Sequence, residues 1–194
     1  EIGDNKAYSK DIDLLISQTR RCGEILKKIS KKQIKEDEFF KKTNLNNLIN
    51  EMIISFKENS SKKIYLVSDD NKNDFNFQRS PELIYGLRNF IGNAVKFSKS
   101  KVEIVIESNE KNIKLKINDD GPGFPDDIKE IVGEPYINSK STQVSSNSGT
   151  GLGTFLGKTL LERKSAFLDF TRDSKLGGAS VVISWNISDL NSIV

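Results

Sequence analysis

Asn118-Asp119-Asp120-Gly121-Pro122-Gly123-Phe124-Pro125 decides how the rest of the chain is read. Ile113, Leu115 and Ile117 alternate with polar residues on the way into it, which is the period of a strand with one buried face. A carboxylate followed by two glycines, one residue apart, lets backbone come close to a small planar ligand. Asp119 can accept a hydrogen bond from an exocyclic amine. Gly121 and Gly123 carry no side chain to block the approach and tolerate positive φ. The same octapeptide also reads as an Asp-Gly and Pro-Gly turn between two elements, so its neighbours must decide.

Upstream, Val102, Ile104 and Ile106 alternate with Glu103, Val105 and Glu107, and Asn109 to Asn112 turns the chain into the strand that ends at Asp119. Before this hairpin, Ser80-Pro81-Glu82 is a helix start: a capping hydroxyl, proline at the first helical position and an acid in the first turn. That helix is expected to reach about Ser98, with Leu83, Leu87, Ile91, Ala94 and Val95 inward. Asn89, Asn93 and Lys96, spaced four and three, share another face. Downstream, a short helix is expected over 126–132, then a polar loop over 133–149 whose length suits a binding loop. Gly149-Thr150-Gly151-Leu152-Gly153-Thr154 runs into a helix carrying Phe155, Leu156 and Leu160. A glycine loop on a helix N-terminus offers free N–H groups to phosphate. No Gly-Lys-Ser/Thr follows it and no strand precedes it, which excludes Walker and Rossmann loops.

The remaining elements complete an α+β pattern. A helix over about 43–59, strands at 64–67 and 75–77, and strands at 166–171 and 179–185 are expected, with a frayed tail from Asn186. Ile12, Leu15, Thr19, Cys22, Leu26 and Ile29 form a heptad seam on an N-terminal helix, with Leu14, Ile16 and Ile25 widening its apolar face as in a bundle.

Composition narrows the chemistry. The 194 residues are 36% hydrophobic and 29% charged, with a net charge of +3 and interleaved acids and lysines, so no nucleic-acid footprint emerges. With His 0 and Cys 1, histidine base catalysis, a disulfide framework and a cysteine zinc site are excluded within these residues. A hard cation held by oxygens is not. No run approaches the roughly 20 apolar residues of a membrane span, and no signal peptide is expected from the polar start.

Asn-x-x-x-Asn on a helix, Asp-x-Gly-x-Gly after a strand and Gly-x-Gly-x-Gly entering a helix occur here in that order. The ordered set resembles the ATP-binding domain shared by sensor histidine kinases, DNA gyrase, Hsp90 and MutL-type proteins. The resemblance spans about residues 38–188 and implies the Bergerat fold, a two-layer α/β sandwich of mixed sheet with helices on one face. Residues 1–35 resemble the second helix of the kinases' dimerisation and histidine-phosphotransfer hairpin. Gln18 to Cys22 together with Gly133-Glu134-Pro135-Tyr136 look most like the redox-responsive RegB/PrrB branch.

Carried over by motif, the resemblance implies that Asn93 ligates Mg²⁺, Asn89 lies one turn away beside the phosphates and Lys96 contacts phosphate. Asp119 receives the adenine amino group, with Gly121 and Gly123 lining the base. Gly149, Thr150, Gly151, Leu152 and Gly153 shape the phosphate loop, and Lys140 is a further candidate for the terminal phosphate. Hydrolysing members carry a water-activating glutamate where this chain has Asn89, and asparagine is no general base. The implied function is therefore transfer of the γ-phosphate of Mg-ATP to a histidine on a hairpin helix upstream, and onward to a response-regulator receiver domain. A homodimer, a cytoplasmic location and an inner-membrane anchor outside this stretch are implied too. The alternatives are a degenerate nucleotide-binding signalling module and an ATPase of the same fold. Two departures stand out: Gly133 to Tyr136 replaces the usual phenylalanine-rich box, and Ala179 stands where many relatives have a small hydroxyl residue. Cys22 reads either as a small buried hydrophobe or, by resemblance to the branch, as a redox thiol at a two-fold seam.

Overall fold

Among the described residues, the amphipathic runs at 45–57, 81–97 and 113–119 bury their apolar side chains in one core. In the computed structural model, the chain divides into units Glu1–Phe39 and Phe40–Val194. The described residues are Ile16 in the first unit and 42–68, 76–135, 152–173 and 175–191 in the second. The rest of the expected heptad helix lies outside the described residues. In order, the second unit runs β1 (Lys42–Asn44), α1 (Leu45–Lys57), β2 (Lys63–Ser68), β3 (Asn76–Gln78), α2 (Pro81–Phe97), β4 (Lys101–Ser108) and β5 (Asn112–Asp119). It continues with α3 (Leu152–Glu162), β6 (Phe167–Arg172), β7 (Ala179–Asn186) and α4 (Ile187–Asn191).

Five strands form one mixed sheet in the order β2-β4-β5-β7-β6, and β1 and β3 pair separately. Only β2 and β4 run parallel, because α2 is the crossover between them; the other pairs are antiparallel. Register sorts the side chains by face. Ile104 lies opposite Ile117, which lies opposite Val181, and Ile106 lies opposite Leu115, which lies opposite Ile183. These residues are buried under Leu48, Ile49 and Met52 of α1, Leu87 and Ile91 of α2 and Leu161 of α3. The helices thus cover one face of the sheet, as the two-layer reading expects. Each such aliphatic side chain contributes about 1.5–3 kcal/mol on full burial. In the same row as Val102, Asp119 faces the helices at the end of β5.

The helix starts follow their caps. Asn44 accepts a hydrogen bond from the Asn47 amide at 2.8 Å, and Ser80 from the Leu83 amide at 3.3 Å, with Pro81 at the first turn. Two local expectations are corrected. The segment 126–132 is a turn followed by a 3₁₀ helix, Lys129–Ile131, too short to close an α-helical ladder. The tail does not fray at Asn186: the Ile187 amide donates to the Lys111 carbonyl at 2.8 Å, and Ile187 is buried at the head of α4.

The end of α3 closes with the Ala166 amide bonded back to Leu161 at 3.1 Å and Ser165 at φ 55°. That left-handed position suits glycine. Because Ser165 is exposed, Ser165→Gly is expected to stabilise the fold by about 0.5–1 kcal/mol, or ~1–4 °C in Tm by calorimetry. A lower Tm in this variant would contradict the cap.

Candidate functional site

Asp119 is buried at 4% exposure, yet its hydrogen bonding is half complete. Oδ1 accepts the Gly121 amide at 2.8 Å and the Ala179 amide at 3.2 Å. Oδ2 has no partner among the described residues. Burial pushes the carboxyl above the usual aspartate range; the two amide bonds offset part of this, and the charges of Asp120 and Asp173 add to it. An acceptor-only oxygen is thereby left in a partly desolvated place, suited to a donor of fixed direction.

The glycines around Asp119 do different work from one another. Gly123 adopts φ +83°, the left-handed conformation expected of it. Gly121 does not take positive φ. A Cβ there would fall within 3.0 Å of the Phe97 carbonyl oxygen and of Asp119 Oδ1, so glycine first permits the end of α2 to meet the turn. Gly178, in the β6–β7 turn, is as tightly held: a Cβ would fall within 3.0 Å of the Asp119 backbone oxygen, its Oδ1 and the Gly121 nitrogen. The turn itself is fixed by the Asp173 carboxylate on the Lys175 and Leu176 amides, and by Arg172 Nε on the Gly177 carbonyl at 2.9 Å. Phe124 packs edge-on against Phe170 of β6 at 5.9 Å, and Phe170 meets Phe90 of α2 at 5.9 Å.

Asp120 faces away from this carboxylate. Burial alone would raise its pKa, but the Ser100 hydroxyl and the amides of Ser100, Lys101 and Lys99 hold the carboxyl far below the usual range of 3.8. A depressed folded-state pKa contributes stability that is complete above about pH 4 and lost as pH falls through the folded value. Asp119, raised, acts oppositely: its contribution is present in acid and lost as pH rises through its folded value. Asp120→Asn is therefore expected to lose more stability relative to wild type at neutral pH than at about pH 3, measured by urea unfolding. An equal loss at both would contradict the clamp.

Helices α2 and α3 bring the second group together. They pass antiparallel: Gly86 meets Leu161, Gly157 meets Phe90 and Asn89, and Gly153 meets Asn89 and Asn93. Asn93 Nδ2 donates to Thr154 Oγ1 at 3.2 Å, and Asn89 Nδ2 to the Tyr85 carbonyl at 2.9 Å. A Cβ on Gly153 would lie 3.6 Å from Asn89 Oδ1. Both amide oxygens remain without partners among the described residues, beside the first turn of α3. Lys96 is exposed, its ammonium 4.9 Å from the Phe97 ring centre. Leu152 opens α3 at 37% exposure.

Asn89, Asn93, Leu152 and Gly153 are thus one group and Asp119, Gly121 and Gly123 another, joined by α2, with Lys96 between. Lys140, Gly149, Thr150, Gly151 and Cys22 lie outside the described residues. Thr154, Gly178, Asp120 and the Ala179 amide were not singled out by pattern. Gly177-Gly178 between two alternating strands is the sequence feature that marks the turn packed on Asp119.

A family model described as histidine kinase-, DNA gyrase B-, and HSP90-like ATPase matches residues 79–188. The chain belongs to this family. Within it, the chain is a catalytic domain of the sensor histidine kinase kind. It is 32% identical over 178 residues to the sensor histidine kinase RegB of Cereibacter sphaeroides, covering 88% of this chain and 38% of that protein. To the sensor histidine kinase CpxA of Escherichia coli it is 28% identical over 116 residues, 56% of this chain and 25% of that one. The chain therefore spans well under half the length of these relatives. In structure it is similar to the mycobacterial sensor histidine kinase MprB, with a TM-score of 0.59 at 18% identity, covering 76% of this chain and 97% of that one. The ATP-binding domain of PrrB from Mycobacterium tuberculosis gives a TM-score of 0.58 at 19% identity, covering 75% and 96%. These two likenesses bear on the fold alone. No described helix is long and apolar enough to cross a membrane.

Proposed function

We propose that this unit binds Mg-ATP and transfers its γ-phosphate to a histidine on a hairpin helix outside these 194 residues, for relay to a receiver-domain aspartate. The observation that carries the reading is the buried Asp119, whose Oδ1 accepts two backbone amides while Oδ2 has no partner among the described residues. An adenine amino group is the donor it suits; a guanine would present an oxygen there and be repelled. Gly121 and Gly123 border the base.

The Asn89, Asn93 and Lys96 face of α2 takes the phosphate side, with Leu152 and Gly153 at the start of α3. The donor set fits Mg²⁺: Asn93 Nδ2 is spent on Thr154, which leaves Oδ1, a hard neutral oxygen. Bound there, the ion would neutralise phosphate charge. Lys96 adds a cation, and the α3 amides offer the positive end of a helix dipole. By motif alone, Gly149, Thr150, Gly151 and Lys140 are further candidates for phosphate contacts. Phosphoryl transfer needs positioning and charge neutralisation more than covalent help from the protein. Asn89, with its Nδ2 on the Tyr85 carbonyl, offers no base to activate water, which favours transfer over hydrolysis.

The test mixes the 194-residue chain, labelled ATP and Mg²⁺ with a separately made histidine-bearing hairpin domain. Acid-labile label on the hairpin, with little free phosphate, is the expected result. Binding without transfer would favour a signalling module, and steady phosphate release an ATPase.

A further inference from the structure

We propose that Asp120 and Lys62 are positioning residues that lock the end of α2 to the Asp119 turn, fixing the spacing between the base carboxylate and the Asn89/Asn93 face. The inference rests on the nucleotide reading above. Neither side chain is free to hold a ligand. Asp120 Oδ1 accepts the amides of Lys99 at 2.8 Å, Ser100 at 3.0 Å and Lys101 at 3.1 Å; Oδ2 takes the Ser100 hydroxyl at 2.6 Å. Lys62 Nζ donates to the carbonyls of Ser98 at 2.7 Å and Lys99 at 2.5 Å. The turn 98–101 is thus gripped on its amides by a carboxylate and on its carbonyls by an ammonium. Such charge-assisted bonds are roughly twice as strong as neutral ones.

The turn is also where the two groups of the site are mechanically joined. Its amide at Ser98 closes α2 on Ala94 at 2.9 Å, and the preceding carbonyl, of Phe97, lies against Gly121. The Lys63 amide donates to the Ser100 carbonyl at 2.9 Å and the Asp120 amide to the Lys101 carbonyl at 3.2 Å, so β2 and the residue after β5 both hold it. Asn93 stands one turn of helix before Phe97, about 6 Å along the axis. A helix is stiff over that length, so a shift of the turn moves Asn93 relative to Asp119. Asp119 itself keeps both its amide bonds, because neither comes from the turn.

The prediction is a split between ligands that use one group and ligands that use both. Adenosine and Mg-ATP are titrated by calorimetry into the 194-residue chain and into Asp120→Ala, Asp120→Asn and Lys62→Met. Adenosine affinity is expected to change by less than about twofold in the variants, whereas Mg-ATP affinity falls by about tenfold in Asp120→Ala, or ~1.4 kcal/mol. Asp120→Asn, which retains one acceptor oxygen, is expected to recover part of the loss, and Lys62→Met to show a smaller loss of the same kind. Amide exchange at Lys99 to Lys101 is expected to quicken in each. Quickened exchange with equal losses for both ligands, or with none, would reduce the brace to a structural role and overturn the proposal. If Asp120→Ala does not fold, Lys62→Met decides alone by the same ratio. Failure of the wild-type chain to bind Mg-ATP would instead remove the nucleotide reading, and the proposal with it.

Discussion

Asp119→Asn is expected to weaken ATP binding by about 10- to 100-fold, a loss of ~1–3 kcal/mol, while the fold survives. The reason lies in the division of labour between the two carboxylate oxygens. Oδ1 faces two amide donors, Gly121 and Ala179, and Oδ2 is the acceptor left for an incoming amine. An asparagine offers one oxygen and one NH₂. If its oxygen keeps the two amides, the NH₂ confronts the base amine, donor against donor. If it flips, the NH₂ confronts Gly121 and Ala179 instead. No rotamer satisfies both sides. The loss should therefore be specific for purines with an exocyclic amine at this position. Calorimetry with ATP and with inosine triphosphate checks it. An unchanged ATP affinity would dismiss Asp119 as the base-reading group. Removing a buried charge that burial already disfavours makes the stability cost small, so a loss of binding would not be a disguised loss of fold.

Gly178→Ala should do the opposite, harming fold and binding together. The added methyl would press on the Asp119 backbone oxygen, its Oδ1 and the Gly121 nitrogen, none of which is the far end of a flexible side chain. Relief requires the β6–β7 turn to withdraw, which breaks the Ala179 bond to Asp119. Overpacking of this kind costs about 3 kcal/mol, and Tm is expected to fall by ~6–12 °C. Gly177→Ala is the control. Gly177 sits at φ +80° with nothing within 4 Å of the added Cβ, so only the left-handed penalty of about 1 kcal/mol applies. Similar Tm values for the two variants would mean that the turn is not held against the carboxylate.

Much of the architecture was legible because its signals are local. Ser80-Pro81-Glu82 and Asn44 announce helices through capping chemistry that does not depend on the rest of the molecule. Period-two alternation through Ile113, Leu115 and Ile117 survives because one face of β5 is buried. What escaped is tertiary. Nothing around Ile187 distinguishes a frayed tail from α4 until the Lys111 carbonyl, far back in the chain, captures its amide. The 3₁₀ turn at Lys129–Ile131 has helical periodicity too short to be told from an α-helix. Within the site, the spacing of Asn89, Asn93, Asp119, Gly121 and Gly123 marked which residues gather, but not why each is needed. The purpose of Gly121 changes once the Phe97 carbonyl is seen beside it, and Asp120 looks like an ordinary turn residue until its oxygens are found on Lys99, Ser100 and Lys101.

The contact between α2 and α3 at Gly86 and Gly157 has a geometric outcome. With Leu161 and Phe90 already at the limit of approach there, the two rods have almost no slack between their axes. About 7.5 Å of helix separates Gly157 from Leu152. Any bulk inserted at that fulcrum would swing the first amides of α3 away from Asn93, so a residue with no side chain, packed against Phe90 and the stem of Asn89, sets where those amides stand.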